Sequence, residues 1–158
     1  MGGRQRRIDE QYGNVYDHFA TVFEWENGVK CHSYCRQQDG CFNNVEDYVI
    51  GTEGSAQILR HEITGPGGKW KFEGKKPSMY DVEHDYLFKS IREAAPINNG
   101  EYMCNSTLMA LIARDSAYTG TRIEWKDYLE SEEVLGPKEY NFGDYTPGEV
   151  PIPGEKAW

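Results

Sequence analysis

Apolar and polar residues alternate along the first part of the chain, in the pattern typical of β-strands. Two such runs, within residues 16–36, flank the dipeptide Asn27-Gly28, which is typical of a two-residue type I′ hairpin turn. Further strand-like runs follow to about residue 74, separated by glycine-rich turns at 51–54 and 65–68. The first half of the chain therefore predicts an antiparallel sheet.

The spacing of the apolar residues changes in the second half of the chain. Residues 79–95 carry an apolar stripe at helical spacing, formed by His84, Leu87, Phe88, Ile91 and Ala95. A second helix is predicted from about residue 100 to 118, with its stop at Gly120, and a short helical turn follows near residues 126–131. Strands followed by helices, without β-α-β alternation, predict an α+β fold: an open, mainly antiparallel β-sheet with helices packed on one face.

A two-residue turn would pair Glu26 with Val29 and Phe23 with His32, which sorts the hairpin into two faces. One face would carry small residues, and we expect the helices to lie against it; its members are Ala20, Val22, Cys31, Ser33 and Cys35. The other face would be aromatic with polar tips, formed by Phe19, Phe23, Trp25, His32, Tyr34 and Arg36. Two interpretations of the aromatic face are open, a second core layer or an interface between copies of the chain.

The four cysteines do not have the spacing of a metal site or a disulfide. On one strand, Cys31 and Cys35 would lie about 13 Å apart, too far to share a zinc ion or an S–S bond. We therefore expect free thiols, buried like small apolar side chains.

Length and charge exclude several classes of protein. The 158 residues are the size of one domain, and we expect a single domain whose Pro/Gly-rich segment, residues 136–158, lies over the surface. A formal net charge of -9 argues against nucleic acid as a partner, and a mean hydropathy of -0.77 argues against a membrane span. Neither a G-x-G-x-x-G nor a G-x-x-x-x-G-K-[ST] motif is present, so we expect no nucleotide cofactor to bind this chain alone.

Three polar residues are candidates for contact with a ligand. His84 carries an imidazole that orients hydroxyl groups in many sites, although its place on the apolar stripe favours a core histidine. Arg36 and Gln37, together with the adjacent Gln38, follow the second strand, where they are able to donate hydrogen bonds to hydroxyls or a carboxylate; for Arg36 an interface role is an equal alternative. Asp17 and His18 are neighbours on a predicted strand, so we expect their side chains to point to opposite faces and not to act together.

Six segments in order resemble the C-terminal domain of one oxidoreductase family, the glucose-fructose oxidoreductase and inositol dehydrogenase type (Gfo/Idh/MocA). The resemblance covers nearly the whole chain and rests on "GGRQ" (2–5), "YGNVYDHFATVFEWENGV" (12–29), "CRQQDGC" (35–41), "GTEGSA" (51–56), "EHDYLFKSIR" (83–92) and "PINNGEYMCNSTLMALIARDSAYTGTRIEW" (96–125).

The resemblance implies a two-domain parent enzyme. Its N-terminal Rossmann domain would bind NAD or NADP and carry the catalytic residues, while the domain seen here would shape a sugar or cyclitol pocket and form a homo-oligomer through its exposed sheet. No catalytic residue is carried over to this chain, which we expect to be inactive alone. Two alternatives stay open: the same domain of an NAD-dependent glycoside hydrolase, or a free-standing binding or scaffold module. The compartment is also open, cytoplasmic or periplasmic.

Overall fold

The computed structural model describes residues 1–144 and 146–155, which form two compact units. Unit 1 combines residues 1–40 with the chain from residue 99 onward, and unit 2 comprises Cys41–Asn98. Each unit contains an open antiparallel sheet and at least one helix, which confirms the predicted α+β class. The single-domain organisation stays a prediction.

The strands precede the α-helices along the chain, as the sequence pattern predicts. In chain order they are β1 (Gly2–Gly3), a 3-10 turn (Glu10–Tyr12), β2 (His18–Glu24), β3 (Lys30–Arg36), β4 (Tyr48–Ile50), β5 (Ser55–Gln57), β6 (Glu62–Gly65), β7 (Gly68–Lys71), α1 (Met79–Arg92), α2 (Gly100–Thr119) and α3 (Trp125–Leu129). The sheet of unit 1 has the order β1-β2-β3, and that of unit 2 the order β4-β5-β6-β7.

The hairpin between β2 and β3 has a three-residue loop, and the predicted two-residue turn is wrong. The N–H of Gly28 donates to the carbonyl of Trp25 at 2.8 Å, and the N–H of Trp25 donates to the carbonyl of Val29 at 2.9 Å. Gly28 has a φ of 81°, whereas Asn27 does not have the positive φ that a type I′ turn requires at both central positions. Asn27-Gly28 therefore ends a type I turn with a left-handed glycine, the other common hairpin geometry.

The longer loop shifts the register of β3 by one residue. Phe23 pairs with Cys31 instead of His32, and Phe19 pairs with Cys35 instead of Arg36. Because side chains alternate along a strand, a shift of one moves every residue of β3 to the opposite face. The observed faces are thus Phe19, Thr21, Phe23, Cys31, Ser33 and Cys35 on one side, and His18, Ala20, Val22, Glu24, Lys30, His32, Tyr34 and Arg36 on the other.

The helix α2 lies against the first of these faces. Tyr118 contacts the rings of Tyr16 and Phe19, with centroid separations of 4.6 and 6.0 Å. Gly2 is needed at this contact, because a Cβ there would come within 2.9 Å of Tyr16 and 3.4 Å of Ala117. Small residues on both elements, Gly2 in β1 and Ala117 in α2, therefore allow the strand and the helix to lie close together.

The thiols of β3 are not buried, contrary to expectation. All four cysteines are free and exposed. Every residue of β3 is exposed, including those on the helix side, because β3 is the edge strand of the sheet and the aromatic contacts of α2 are with Phe19 on β2. The small side chains of β3 thus predicted a packed face, but β3 is an edge strand and its residues stay exposed.

Two hydroxyl contacts tie the C-terminal segment of unit 1 to its core. The Tyr128 hydroxyl of α3 donates to the buried Asp115 carboxylate of α2 at 2.6 Å, and Arg114 donates to the other oxygen of that carboxylate. The Tyr16 hydroxyl donates to the carbonyl of Pro151 at 2.7 Å. Part of the predicted surface segment, residues 136–158, therefore packs on unit 1; residues 145 and 156–158 lie outside the described residues.

In unit 2 one face of the sheet carries a straight apolar row. The register aligns Val49 with Ala56, Ala56 with Ile63, and Ile63 with Trp70. Beside the row is an open, mainly apolar cleft of about 640 Å³ that also contacts Met79 at the start of α1.

The helix α1 matches the predicted amphipathic segment, and it starts with a side-chain cap. The hydroxyl of Ser78 accepts a hydrogen bond from the N–H of Asp81. Its apolar stripe is not a core, because Leu87 and Phe88 are about half exposed and Ile91 is more exposed still.

Candidate binding site at the end of the first hairpin

The most strongly held side chain in unit 1 is the carboxylate of Asp17, immediately before β2. Its oxygen Oδ2 accepts three backbone hydrogen bonds, from the N–H groups of Gln5, Arg6 and Arg7, at 2.5–3.0 Å. The side chain itself has no exposed surface. Asp17 therefore fixes the loop between β1 and the 3-10 turn, and the loop fixes Asp17.

The charge of Asp17 is stable in this position. Burial alone raises the pKa of a carboxyl group, but here hydrogen bonds from the Arg6 backbone, the His18 side chain and the Arg7 and Gln5 backbones outweigh it. The pKa of Asp17 consequently lies well below its usual range, and the group is ionised at any physiological pH.

His18 completes a pair with Asp17, contrary to the expectation that the two side chains would point to opposite faces. The Nδ1 atom of His18 lies 2.8 Å from Oδ1 of Asp17. Alternation does not apply to the two residues, because β2 begins at His18 and Asp17 lies in the bend before it. The imidazole is one-third exposed, so the pair joins a buried anion to an accessible ring.

The glycine of β1 opposite His18 leaves room for this ring. Gly3 is paired with His18 across β1 and β2. A Cβ at Gly3 would lie 2.9 Å from Cε1 and 3.1 Å from Nε2 of His18, both closer than normal contact. The imidazole edge that does not face Asp17 therefore lies over the backbone of Gly3.

The structure brings two of the predicted ligand-binding residues to the pair. Arg36 lies directly opposite His18 on the same face of the sheet, and the N–H of Gln37 donates to the carbonyl of Asp17 at 2.8 Å. The side chain of Gln38 also reaches the pair: its amide donates to Gln5 and, at 3.4 Å, to Oδ1 of Asp17. The motif "CRQQ" thus supplies this end of the hairpin with polar groups.

The third predicted residue, His84, belongs to unit 2. It lies on α1 and is exposed, with Nδ1 2.6 Å from the carbonyl oxygen of Tyr80 and its ring 6.5 Å from that of Phe88. The expected hydrogen bond to the backbone is present, but the buried core position is wrong, because the stripe of α1 is itself exposed.

The predicted aromatic face does not exist as one surface. Phe19 and Phe23 lie on the helix side of the sheet, while His32, Tyr34 and Arg36 lie on the opposite side. Trp25 is at the start of the loop, with its ring 6.3 Å from that of Phe23. The error follows from counting two loop residues instead of three; the homo-oligomer itself stays a prediction.

Another polar cluster connects two strands of unit 2. In unit 2, Glu62 accepts hydrogen bonds from Lys69 and Lys71 at 2.7 and 2.8 Å, which lower its pKa to about 2.

In the described ranges, no three His, Cys, Asp or Glu side chains are arranged to hold a metal ion. Among the same residues, none of the helices has the length and apolar character to cross a bilayer.

Comparison of the chain with protein-family models, curated proteins and solved structures finds no match. The features available for assigning a function are therefore the residues and their geometry. The pair Asp17–His18, with Arg36 opposite and Gln38 beside it, is the best-defined polar site of unit 1.

Proposed function

We propose that this chain is the substrate-side and oligomerisation domain of an NAD(P)-dependent sugar or cyclitol oxidoreductase, inactive alone. The nucleotide would be held by a separate Rossmann domain, and the homo-oligomer would form through the open sheet. The observation that carries the proposal is the Asp17–His18 pair: a buried, permanently charged carboxylate orients an accessible imidazole at one end of the sheet.

The surroundings of the pair suit a hydroxylated ligand. Sugar hydroxyls both donate and accept hydrogen bonds, and this end of the hairpin carries the polar side chains of His18, of Arg36 opposite it and of Gln38 beside it. Pockets for such ligands carry a few convergent polar groups on a fixed scaffold, and the three backbone bonds to Asp17 provide that rigidity here.

The exposed sheet face supports the oligomerisation part of the proposal. Val22 and Tyr34 are both more than half exposed on the side opposite α2. Apolar and aromatic residues grouped on one face are typical of surfaces that bind another protein.

The most direct test is to read the gene upstream of codon 1. We expect a continuous reading frame that encodes a G-x-G-x-x-G turn between a strand and a helix, since that turn holds the pyrophosphate of NAD(P). A start signal with no upstream coding sequence would contradict the proposal and favour a free-standing module.

A second test uses the chain itself. Calorimetric titration with NADH and NADPH should show no binding, because the sequence lacks the glycine turn that cradles a pyrophosphate. A dissociation constant in the low micromolar range would show that the cofactor site had been placed in the wrong domain.

A further inference from the structure

We propose that Nε2 of His18 accepts a hydrogen bond from a hydroxyl group of a polyol. For its ligand class the inference rests on the proposed function; for its site it rests on the contacts of His18. It makes Asp17 a positioning residue and His18 a ligand-binding residue, at two positions where the sequence pattern predicted no joint role.

The hydrogen bond to Asp17 determines which ring nitrogen is free to accept. An ionised carboxylate only accepts hydrogen bonds, so at 2.8 Å the Nδ1 atom of His18 must carry the proton. In the neutral imidazole the other nitrogen, Nε2, then has a lone pair and no hydrogen. In the neutral ring Nε2 is consequently an acceptor, and its natural partner is an O–H or N–H donor.

The hydrogen bond to Asp17 fixes the orientation of the His18 ring. Rotation of the imidazole would break the bond to Oδ1 of Asp17, whose carboxylate is anchored by three backbone N–H groups. A second contact, from the Gln38 amide, bears on the same oxygen. A binding group held in this way loses little conformational entropy when the ligand arrives.

The position of the ring edge that carries Nε2 depends on Gly3. The residue has no positive φ, so its backbone conformation does not require glycine. Its lack of a Cβ is what allows the ring edge to lie there, since a methyl group would come within 2.9 Å of Cε1 and 3.1 Å of Nε2. Gly3→Ala is therefore a substitution that displaces the ring edge carrying the acceptor, while the strand conformation is allowed.

Arg36 is the second residue that we expect to contact the ligand. Residues directly opposite on antiparallel strands have Cβ atoms about 5 Å apart, and the arginine side chain is long enough to reach a ligand bound at His18. A ligand that donates to Nε2 and accepts from a guanidinium needs at least two hydroxyl groups close together. Polyols such as cyclitols and open-chain alditols have this arrangement.

The experiment is NMR spectroscopy of the ¹⁵N-labelled chain during titration with myo-inositol and glucitol. Long-range ¹H–¹⁵N spectra report the tautomer of each histidine, and we expect His18 with Nδ1 protonated and Nε2 unprotonated. Both polyols should shift the Nε2 resonance. His18→Ala and Gly3→Ala should each weaken binding by roughly fivefold or more, as expected for a lost hydrogen bond.

His32→Ala is the matched control, because His32 lies on the same face of the sheet and its ring stacks on Tyr34 without a carboxylate partner among the described contacts. It should leave binding unchanged. Amide spectra of each variant with the dispersion of the wild type show that the fold is retained, and Gly3→Ala provides the test if His18→Ala does not fold.

Three results would overturn the inference: a His18 ring protonated at Nε2, no polyol binding by the folded wild type, or binding that is insensitive to both substitutions. Binding that is insensitive to both substitutions would leave the proposed function intact and place the ligand elsewhere. An upstream sequence that encodes no Rossmann domain would contradict the proposed parent enzyme and leave the acceptor site at His18 intact.

Discussion

Unit 1 and unit 2 contain similar elements, an antiparallel sheet with helices, yet they are held together differently. In unit 1, buried or half-buried polar groups join separate segments of the chain: Asp17 binds residues 5–7, Asp115 binds Tyr128, and Tyr16 binds the carbonyl of Pro151. In unit 2, the buried residues among positions 41–98 are Glu62 and Ser90, and the apolar row and the α1 stripe are exposed. The comparison indicates that buried polar contacts between separate segments hold unit 1 together, whereas the stability of unit 2 depends more on local hairpins and helix capping.

Removal of the Asp17 carboxylate should have the largest effect on stability. Asp17→Ala leaves three buried backbone N–H groups and the His18 ring without their acceptor, and we expect a loss of about 3–5 kcal/mol in the free energy of unfolding. Urea denaturation measures it. Asp39→Ala is the control, because that side chain is 86% exposed and its ion pair with Arg7 is long, so its change should stay within about 0.5 kcal/mol. Equal effects of the two substitutions would contradict the anchoring role of Asp17.

A pair of isoleucines compares the two units directly. Ile112 in α2 is 7% exposed and Ile91 in α1 is 65% exposed. Truncation of a buried isoleucine to alanine costs about 2–4 kcal/mol, so Ile112→Ala should destabilise the protein by that amount. Ile91→Ala should cost less than about 1 kcal/mol. If Ile91→Ala proves equally costly, the stripe of α1 is buried in solution and the contrast between the units fails.

Acid should weaken unit 2 through Glu62. Its pKa falls from an ordinary value of 4.5 to about 2 because of hydrogen bonds from Lys69 and then Lys71. The folded state therefore binds the proton less readily than the unfolded state, and the stabilisation is complete above pH 4.5 and lost as pH falls towards 2. Asp17 shifts in the same direction, so the wild type must be compared with Glu62→Gln. Urea midpoints of the variant should depend less on pH in this window; parallel curves would contradict the assignment.

The smallest expected effect concerns the thiols: their chemical modification should leave the stability of the protein unchanged. All four cysteines are exposed, so a maleimide reagent should modify Cys31 and Cys35 in the native protein without unfolding it. Mass spectrometry after brief labelling identifies the sites, with the denatured chain as reference. Protection of both residues would restore the buried thiols that side-chain size predicted.

Elements with a strong local signal were predictable from the sequence. The helical period gave α1 and α2 nearly to their ends, and α2 stops at Gly120, which has a left-handed φ of 75°. The antiparallel strands followed from alternation and from glycine turns, such as the two-residue turn that joins Gly65 to Gly68. These features depend on residues that are close together in the chain.

The register and the candidate site were not predictable, because each depends on a backbone detail that composition does not reveal. The dipeptide Asn27-Gly28 suits a two-residue loop and a three-residue loop alike, and the choice moves all of β3 to the other face. The pair Asp17–His18 required β2 to begin at His18, so that strand alternation did not separate the two side chains. A carboxylate next to a histidine at a strand start was the only local signal.

The register of the β2–β3 hairpin is the central structural claim, since it places Arg36 beside His18 and divides the aromatic residues between two faces. In an antiparallel sheet the pairs without direct hydrogen bonds bring their Hα atoms together, and the observed ladder assigns Ala20–Tyr34 and Val22–His32 to this class. Nuclear Overhauser spectra of the labelled chain should therefore show strong Hα–Hα contacts for these two pairs. Contacts for Thr21–Tyr34 and Phe23–His32 instead would establish the two-residue turn and contradict the account.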